Sequence, residues 1–415
     1  MQEVCMKLSF EELMRIPNRR LLLRACRRAI VPERRRNMDL RRNLEAAFFW
    51  TCEAQDSTPD GGVTGCYNLV RGWGESYPET TGYIIPTFLH YARTLNVVEA
   101  RERALRMADW ETQIQLPSGA VRSGMMNVRT GPAVFNTGQV LFGWVSAYQQ
   151  TGHERYAISM RRAGDWLVSV QDEDGAWRKH LSEVTTSTVQ SYNARAAWGL
   201  ALAGSELDEE RFVRAAIKNC DWVLEQQHES GWFDRNAFSD GEPPLLHTIG
   251  YVLEGLLGAG ELLNREKYIA AAIAGVTPLV TLYQRTGVLR GRYDSNWHST
   301  VSWRCLTGEA QIALVLCRLY EITREASYAG TAKSLLHGLA DIQDTSSPHR
   351  ESYGALAGSH PLWGGYSPFN YLNWAAKFFM DALLLHLFKA DVQKPVYQKI
   401  GAVIDRPYSA AECVR

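Results

Sequence analysis

The sequence predicts an all-α double ring of six helical hairpins, an (α/α)6 toroid, on three observations. A glutamine-led turn recurs at a nearly constant period. A mixed amphipathic stretch precedes each turn, and a stretch apolar nearly all round follows it after a polar gap. The turns read QDSTPDGGV from Gln55, QLPSGAVRSG from Gln115, QDEDGAWRKH from Gln171, QHESGWFDRN from Gln227, QRTGVLRGRYD from Gln284 and a degenerate QDTSSPHRESY from Gln343, spaced by 60, 56, 56, 57 and 59 residues.

Helices are predicted before the glutamines at 38–54, 97–114, 154–170, 208–226, 265–283 and 325–342. A second set follows the gaps at 78–94, 135–149, 191–204, 246–263, 303–322 and 369–388. Stretches such as TGYIIPTFLHYA and TIGYVLEGLLGAG suit the inner layer of the ring, where no face meets water. In QDEDGAW, Gly175 sits where an outer helix must stop, so a left-handed turn is expected there. Asp172 and Asp174 are read as turn residues and not as acid/base machinery.

This pattern resembles the QxxxGxW repeat of squalene cyclases and protein prenyltransferase β subunits, whose glutamine and tryptophan tie an outer helix to the following turn. The resemblance implies the toroid but not terpenoid chemistry. No DxDD tetrad occurs, and Cys305 has no accompanying DxC pattern of the zinc-binding prenyltransferases.

One toroid over residues 38–390, a basic extension at 1–37 and a tail at 391–415 account for all 415 residues. The hydrophobic fraction of 46% supports a large core, and the formal net charge is zero. Eight cysteines show neither metal-type spacing nor a disulfide framework, which fits a reducing compartment. No apolar run has membrane-spanning length, and the start MQEVCMKLSFEELMRIP lacks the core of a secretory signal, so a cytoplasmic location is expected. Residues 15–42 hold eleven arginines against Glu33 and Asp39. This arm is expected to pack on the ring, with docking on an anionic membrane face as the alternative. It has no aromatic residues, which disfavours nucleic acid as a partner.

In a double ring the starts of the inner helices converge on one mouth, together with the loops before them, and polar residues there are candidates for chemistry. These segments are rich in Tyr, Trp, Asn, His, Arg and Glu, a lining suited to a glycan. Trp73, Trp297, Trp303 and Trp363 are candidate sugar platforms. The run YQRTGVLRGRYDSNWHSTVSWRCLTGEAQ, with SYPETTGYIIPTFL, resembles the C-terminal helical domain of glucuronyl epimerases. That resemblance implies epimerisation or elimination on a uronic-acid glycan, in surface-polysaccharide metabolism. The separate β-rich domain of that family is missing from this sequence.

Removing the proton α to a carboxylate needs a base, a cation for the enolate and a second proton carrier. Tyr83, His247, Tyr293 and Arg304 are the catalytic candidates, with Tyr192 and Tyr366 as further proton carriers. Arg195, Asn193, Asn136 and Asn370 are candidates to hold the substrate. Hydrolysis would instead use paired carboxylates, and Glu79, Asp294 and Glu309 lie on the same segments. A toroid that binds glycans without catalysis is the remaining alternative. No zinc-like spacing, P-loop or Rossmann pattern occurs, so neither a metal nor a nucleotide cofactor is inferred.

Overall fold

The computed structural model describes residues 18–30 and 39–388. A short helix α1 (Arg19–Ile30) precedes the ring. The outer layer consists of α2 (Leu40–Asp56), α4 (Val98–Ile114), α6 (Glu154–Ser169), α8 (Glu210–Leu224), α10 (Glu266–Thr286) and α12 (Ala326–Ile342). The inner layer consists of α3 (Pro78–Leu95), α5 (Val134–Thr151), α7 (Ala194–Leu207), α9 (Leu246–Leu263), α11 (Leu306–Thr323) and α13 (Asn373–Leu387). The (α/α)6 toroid is therefore the observed fold.

Hydrophobic patterning sets the layer. In α8, Phe212, Ala215, Ala216, Asn219, Cys220, Trp222 and Val223 are buried, a stripe at spacings of three and four. In α9 every residue from Leu246 to Gly260 is buried. Inner helices approach closely enough that a Cβ on Gly82 would lie 2.6 Å from Val140 Cα, and one on Gly138 2.5 Å from Ala196 Cα.

Each inner helix packs on the outer helix that follows it, from α3 on α4 to α11 on α12. The sixth hairpin is assembled from opposite ends of the chain, because α13 packs on α2 and also meets α3. The inner-to-outer turns are short and pivot on the left-handed residues Asn96, Gly152, Asp208, Asn264 and Arg324. The outer-to-inner loops are long and carry what strand structure is described. There β1 (Cys66–Asn68) pairs with β2 (Gly72–Trp73) and β5 (Asn370–Leu372), and β3 (Arg304–Cys305) pairs with β4 (Ser359–His360). The helical reading did not anticipate these strands, and it began the last two inner helices at 303 and 369 where β3 and β5 lie.

The repeated glutamine works between neighbours. Gln171 Nε2 donates to Gly175 O and to Ala215 O of the next outer helix, both at 2.9 Å. Gln115 does the same to Gly119 O at 2.8 Å and Ser159 O at 3.0 Å, and Gln55 to Gly61 O at 3.1 Å and Arg103 O at 3.2 Å. Gln343 closes the ring with the same bond, donating to Gly354 O at 2.7 Å and to Asn43 O of α2 at 3.2 Å. Gly175 has φ +91°, and a Cβ there would lie 2.4 Å from Lys218 O. Glycine is thus required both for the turn and for contact with the neighbouring helix backbone.

Gln284 departs from this pattern. It lies exposed inside α10, which runs on to Thr286 and ends at Gly287, whose N–H reaches Tyr283 O. Trp297, in the same connection, reaches back and not forward: its Nε1 donates to Ser230 O at 3.0 Å and its ring meets Trp232 edge-on at 5.3 Å, at the turn that Gln227 ties to Ala271 O at 2.9 Å.

Within the arm, α1 lies on the ring. Leu21, Leu22 and Ala25 are buried, and Arg24 Nε donates to Asp344 Oδ2 at 2.9 Å. Residues 1–17 and 31–38 of the arm, and the proposed 391–415 tail, lie outside the described residues.

Gly175→Val is expected to lower unfolding free energy by at least about 1 to 3 kcal/mol, from the left-handed backbone alone. Gly131→Ala, whose Cβ would meet no atom within 4 Å, should change it by less than about 0.5 kcal/mol. Denaturant melts of the two variants check this, and equal stabilities would remove the glycine from its role in the joint.

Candidate active site on the ring axis

Helical periodicity points one stripe of every inner helix at the ring axis. On α3 that stripe runs through Glu79, Tyr83, Thr87 and His90, on α5 through Asn136, Gln139, Phe142 and Ser146, and on α9 through His247, Tyr251 and Glu254. Cross-ring contacts confirm the convergence at Arg195, in the first turn of α7. Its guanidinium carbon lies 4.9 Å from the centroid of Phe142, 5.3 Å from those of Tyr83 and Phe378, and 5.4 Å from that of Tyr251, rings contributed by four different helices.

Arg195 is only 2% exposed. An arginine so buried needs acceptors, and it has them. Nε donates to Glu254 Oε2 at 3.1 Å, and Nη1 donates to Gln139 Oε1. Gln311 Nε2 donates to Glu254 Oε1 at 2.9 Å, and its Oε1 lies 2.6 Å from His247 Nδ1. With the Gln311 amide oriented by Glu254, the network places the His247 proton on Nδ1 and leaves Nε2 an acceptor. Burial holds His247 neutral, with its pKa lowered to about 3.

Glu79 occupies the axis near the starts of the inner helices. It is 7% exposed and accepts a 2.9 Å hydrogen bond from Tyr77 Oη. Burial pushes its carboxyl up to about 7, reinforced by Glu183 and opposed by the Tyr77 bond and the charge of Arg195. Its charge is felt in turn by Tyr77, Tyr83, Tyr192, Tyr251 and Tyr366, all held as phenols, first by burial. Tyr366 Oη is also hydrogen-bonded by Trp374 Nε1 at 2.9 Å. Several buried polar atoms around this chamber lack a protein partner: Asn136 Oδ1 and Nδ2, Gln139 Nε2 and Asn193 Oδ1. Such atoms ordinarily cost roughly 1 to 3 kcal/mol each, unless water or a ligand meets them.

Below Arg195 the axis widens into a cavity of about 700 Å³ among the C-terminal halves of the inner helices. The expectation of a mouth at the helix starts needs correction on this point. Long loops cover that end and short turns leave the other open, so the volume lies opposite the chamber.

Of the residues singled out in the sequence, the fold brings Glu79, Tyr83, Asn136, Tyr192, Asn193, Arg195, His247 and Tyr366 to the chamber. The others serve the scaffold. Arg304 forks onto Glu309, Nε to Oε1 at 2.7 Å and Nη2 to Oε2 at 2.5 Å, so both charges are spent on each other. Tyr293 Oη accepts from Arg290 N at 2.7 Å, and Asp294 Oδ1 caps its own turn through the N–H groups of Asn296 and His298. None of the four tryptophans offers a free platform on the axis. Trp73 packs 5.6 Å from Trp50 and 5.0 Å from Tyr67, and Trp297 reaches back to the turn described above. Trp303 lies against Gly291, Gly364 and Gly365, and Trp363 packs on the hydrophobic core. Asn370 Oδ1 accepts from Asn68 across the β1–β5 pair at 2.9 Å. Asp172 and Asp174 pair with Arg178 in the turn, as expected.

Sequence reading missed Gln139, Tyr251, Glu254, Gln311 and Lys377, which lie one or two turns further along the inner helices. A polar residue three or four positions after a candidate, inside a segment otherwise apolar all round, was the available signal: His247, Tyr251 and Glu254 form such a series.

The Glu79 shift gives a pH signature. A carboxyl whose folded pKa is raised binds its proton more tightly when folded, so its favourable contribution is complete below the ordinary value of 4.5 and is lost as pH rises to about 7. The loss amounts to about 3 kcal/mol. Glu79→Gln is expected to flatten that part of the stability–pH curve in urea melts from pH 4 to 8. An unchanged slope would place the Glu79 carboxyl in water.

No family model matches the chain, and no curated protein matches it. Solved structures do. An unsaturated glucuronyl hydrolase specific for heparin aligns over 84% of this chain and 96% of its own, with 16% identity and TM-score 0.66. A D-mannose isomerase aligns over 84% and 97%, with 14% identity and TM-score 0.64. The cellobiose 2-epimerase of Bacillus thermoamylovorans aligns over 83% and 97%, with 13% identity and TM-score 0.60. At these identities the likeness is one of fold, and the chain shares the (α/α)6 toroid on which these carbohydrate-active enzymes are built.

Proposed function

We propose that the protein is a carbohydrate-active enzyme that moves the proton α to the carboxylate of a uronic-acid sugar, by epimerisation or elimination, in the axial chamber. The observation that carries this reading is Glu79: a buried carboxyl with a pKa of about 7, facing tyrosines from several elements and the charge of Arg195. A group half ionised near neutral pH is matched to taking and returning a proton. The structural neighbours act on sugars, which agrees with this reading without choosing the reaction.

The roles follow from the chemistry of each group. Two of the five N–H donors of Arg195 are committed, to Glu254 and Gln139, and the others can take a sugar carboxylate. Ionised Glu79 removes the C5 proton, the C–H electron pair passes into the enolate, and Arg195 stabilises its charge. Tyr83, held as a phenol by burial, then returns a proton to the opposite face, giving the epimer. If the substituent at C4 leaves instead, Tyr83 protonates its oxygen and the product is unsaturated. His247 Nε2 is a second acceptor on the same axis. Asn136 and Asn193 supply unmet donors and acceptors for sugar hydroxyls.

Hydrolysis is the second reading, because Glu79, raised by burial, and Glu254, paired with Arg195, are two carboxyls on one axis in different environments. Glu254 already serves Arg195 and Gln311, which favours proton transfer.

Incubation with uronate oligosaccharides in deuterated water tests both. Deuterium at C5, or a C4–C5-unsaturated uronate end, is the expected outcome, and reducing ends released with neither would transfer the assignment to hydrolysis. Glu79→Gln should slow exchange by about 10² or more. Tyr83→Phe should slow it similarly while moving the melting temperature by no more than a few degrees, since it removes only a hydroxyl that meets Tyr251. A Tyr83→Phe protein that exchanges at the wild-type rate would take the proton donor out of the mechanism.

A further inference from the structure

The wider half of the axis meets the chamber at Tyr83, Arg195 and Glu254, and beyond that shared floor its lining has no part in the chemistry above. We propose that the 700 Å³ cavity at the C-terminal ends of the inner helices is a second ligand site, for an uncharged polyhydroxylated head group bearing a short aliphatic tail.

Its depth is polar and internally neutralised. Lys377 Nζ meets Asp381 Oδ2 at 2.6 Å, Thr87 Oγ1 donates to Asp381 Oδ1 at 2.7 Å, and Ser146 lines the same well. Arg195 is matched by Glu254 at its floor. Nearer the rim, Arg318 pairs with Glu261, and Glu321 pairs with Arg324 at 2.6 Å. All four lining carboxylates therefore already have a cation. In the depth of the well a charged head group would have to displace a buried pair, which is costly, whereas Arg93, exposed at the rim, stands outside these pairs. Hydroxyl groups need displace nothing, because carboxylate oxygens retain free lone pairs and the ammonium of Lys377 retains donors.

Between the charged rim side chains the collar carries an apolar stripe. Leu89, Leu262, Leu314 and Leu385, from four helices, line the way out, and Ile322 stands at the opening with 42% of its surface exposed. An aliphatic chain leaving the well would cover these side chains and take them out of water. The cavity volume lies within the 300 to 1,000 Å³ of ordinary ligand pockets. The short turns at this end leave the opening uncovered. A polar well under an apolar stripe thus selects a ligand with both parts and in that order.

Calorimetric titration with octyl β-D-glucoside below its micellar concentration, methyl β-D-glucoside and octan-1-ol tests the site. Octyl glucoside should bind at least about tenfold tighter than either fragment, a modest share of the roughly 0.8 kcal/mol available per buried methylene. Ser146→Phe, which fills the well, should abolish that binding. Ile322→Asp, on the exposed collar, should weaken octyl glucoside several-fold and leave methyl glucoside unchanged. Ile322→Asp carries the test alone if Ser146→Phe loses the wild-type helical circular dichroism. Binding that survives a folded Ser146→Phe, equal affinity for the fragments, tighter binding of octanoate than of octyl glucoside, or no binding would each overturn the proposal. Uronate exchange should be unaltered in Ile322→Asp. A protein that binds octyl glucoside but neither exchanges at C5 nor forms an unsaturated uronate end would refute the catalytic reading and leave this site standing.

Discussion

The ring depends on one hydrogen-bonding device, the glutamine amide that joins three pieces of backbone. Gln171 ends one outer helix, holds the carbonyl of its own turn at Gly175 and holds the carbonyl of Ala215 on the next outer helix. Gly175 O also accepts from Asn219 Nδ2 of that next helix at 2.9 Å, so two side chains clamp the turn to its neighbour. Because the glutamine bond recurs at Gln55, Gln115 and Gln343, it fixes the angular step from one hairpin to the next. The last of these meets Asn43 on the first outer helix, so the ring closes without a covalent join. Convergence of the inner helices on one axis follows from that constant step, and every contact of Arg195 follows from the convergence.

The two ends of the axis differ because the two kinds of connection differ. Inner-to-outer turns need only two or three residues, with a left-handed residue stopping the inner helix. Outer-to-inner connections must cross from the rim to the axis, and they bring loops, strands and aromatic side chains with them. One end is thereby covered and lined with tyrosines, and the other is left open. Arg195 divides them, held by a buried ion pair and by rings on several sides.

Most of the fold was legible in the sequence because it is periodic. Predicted and observed boundaries of α4, α9 and α12 differ by at most one residue. The exception is instructive: Gln284 matches the repeat as a letter but not as a joint, since α10 continues past it and leaves it exposed. The site was legible in part. Glu79, Tyr83, Asn136, Arg195 and His247 stand out as polar residues in apolar helices, and helical spacing carries them to the axis. Arg304 and Trp297 stand out equally in the sequence, yet Glu309 and Ser230 consume their polar groups. Composition cannot tell a polar side chain that awaits a ligand from one that has found a neighbour. Only the fold shows which partners are already taken.

That distinction also locates where the chain sacrifices stability. The joint glutamines spend their amide N–H groups on backbone carbonyls, whereas the chamber leaves several polar atoms unmet. Glu79 is desolvated at a cost of about 3 kcal/mol at neutral pH, and Asn136 has neither amide atom satisfied. A core this large could hold apolar residues at both positions with less strain on the fold. Glu111 in α4, buried with neither carboxylate oxygen partnered and its carboxyl raised by burial, carries the same cost away from the axis; what sets the chamber apart is that several such groups gather around one buried arginine.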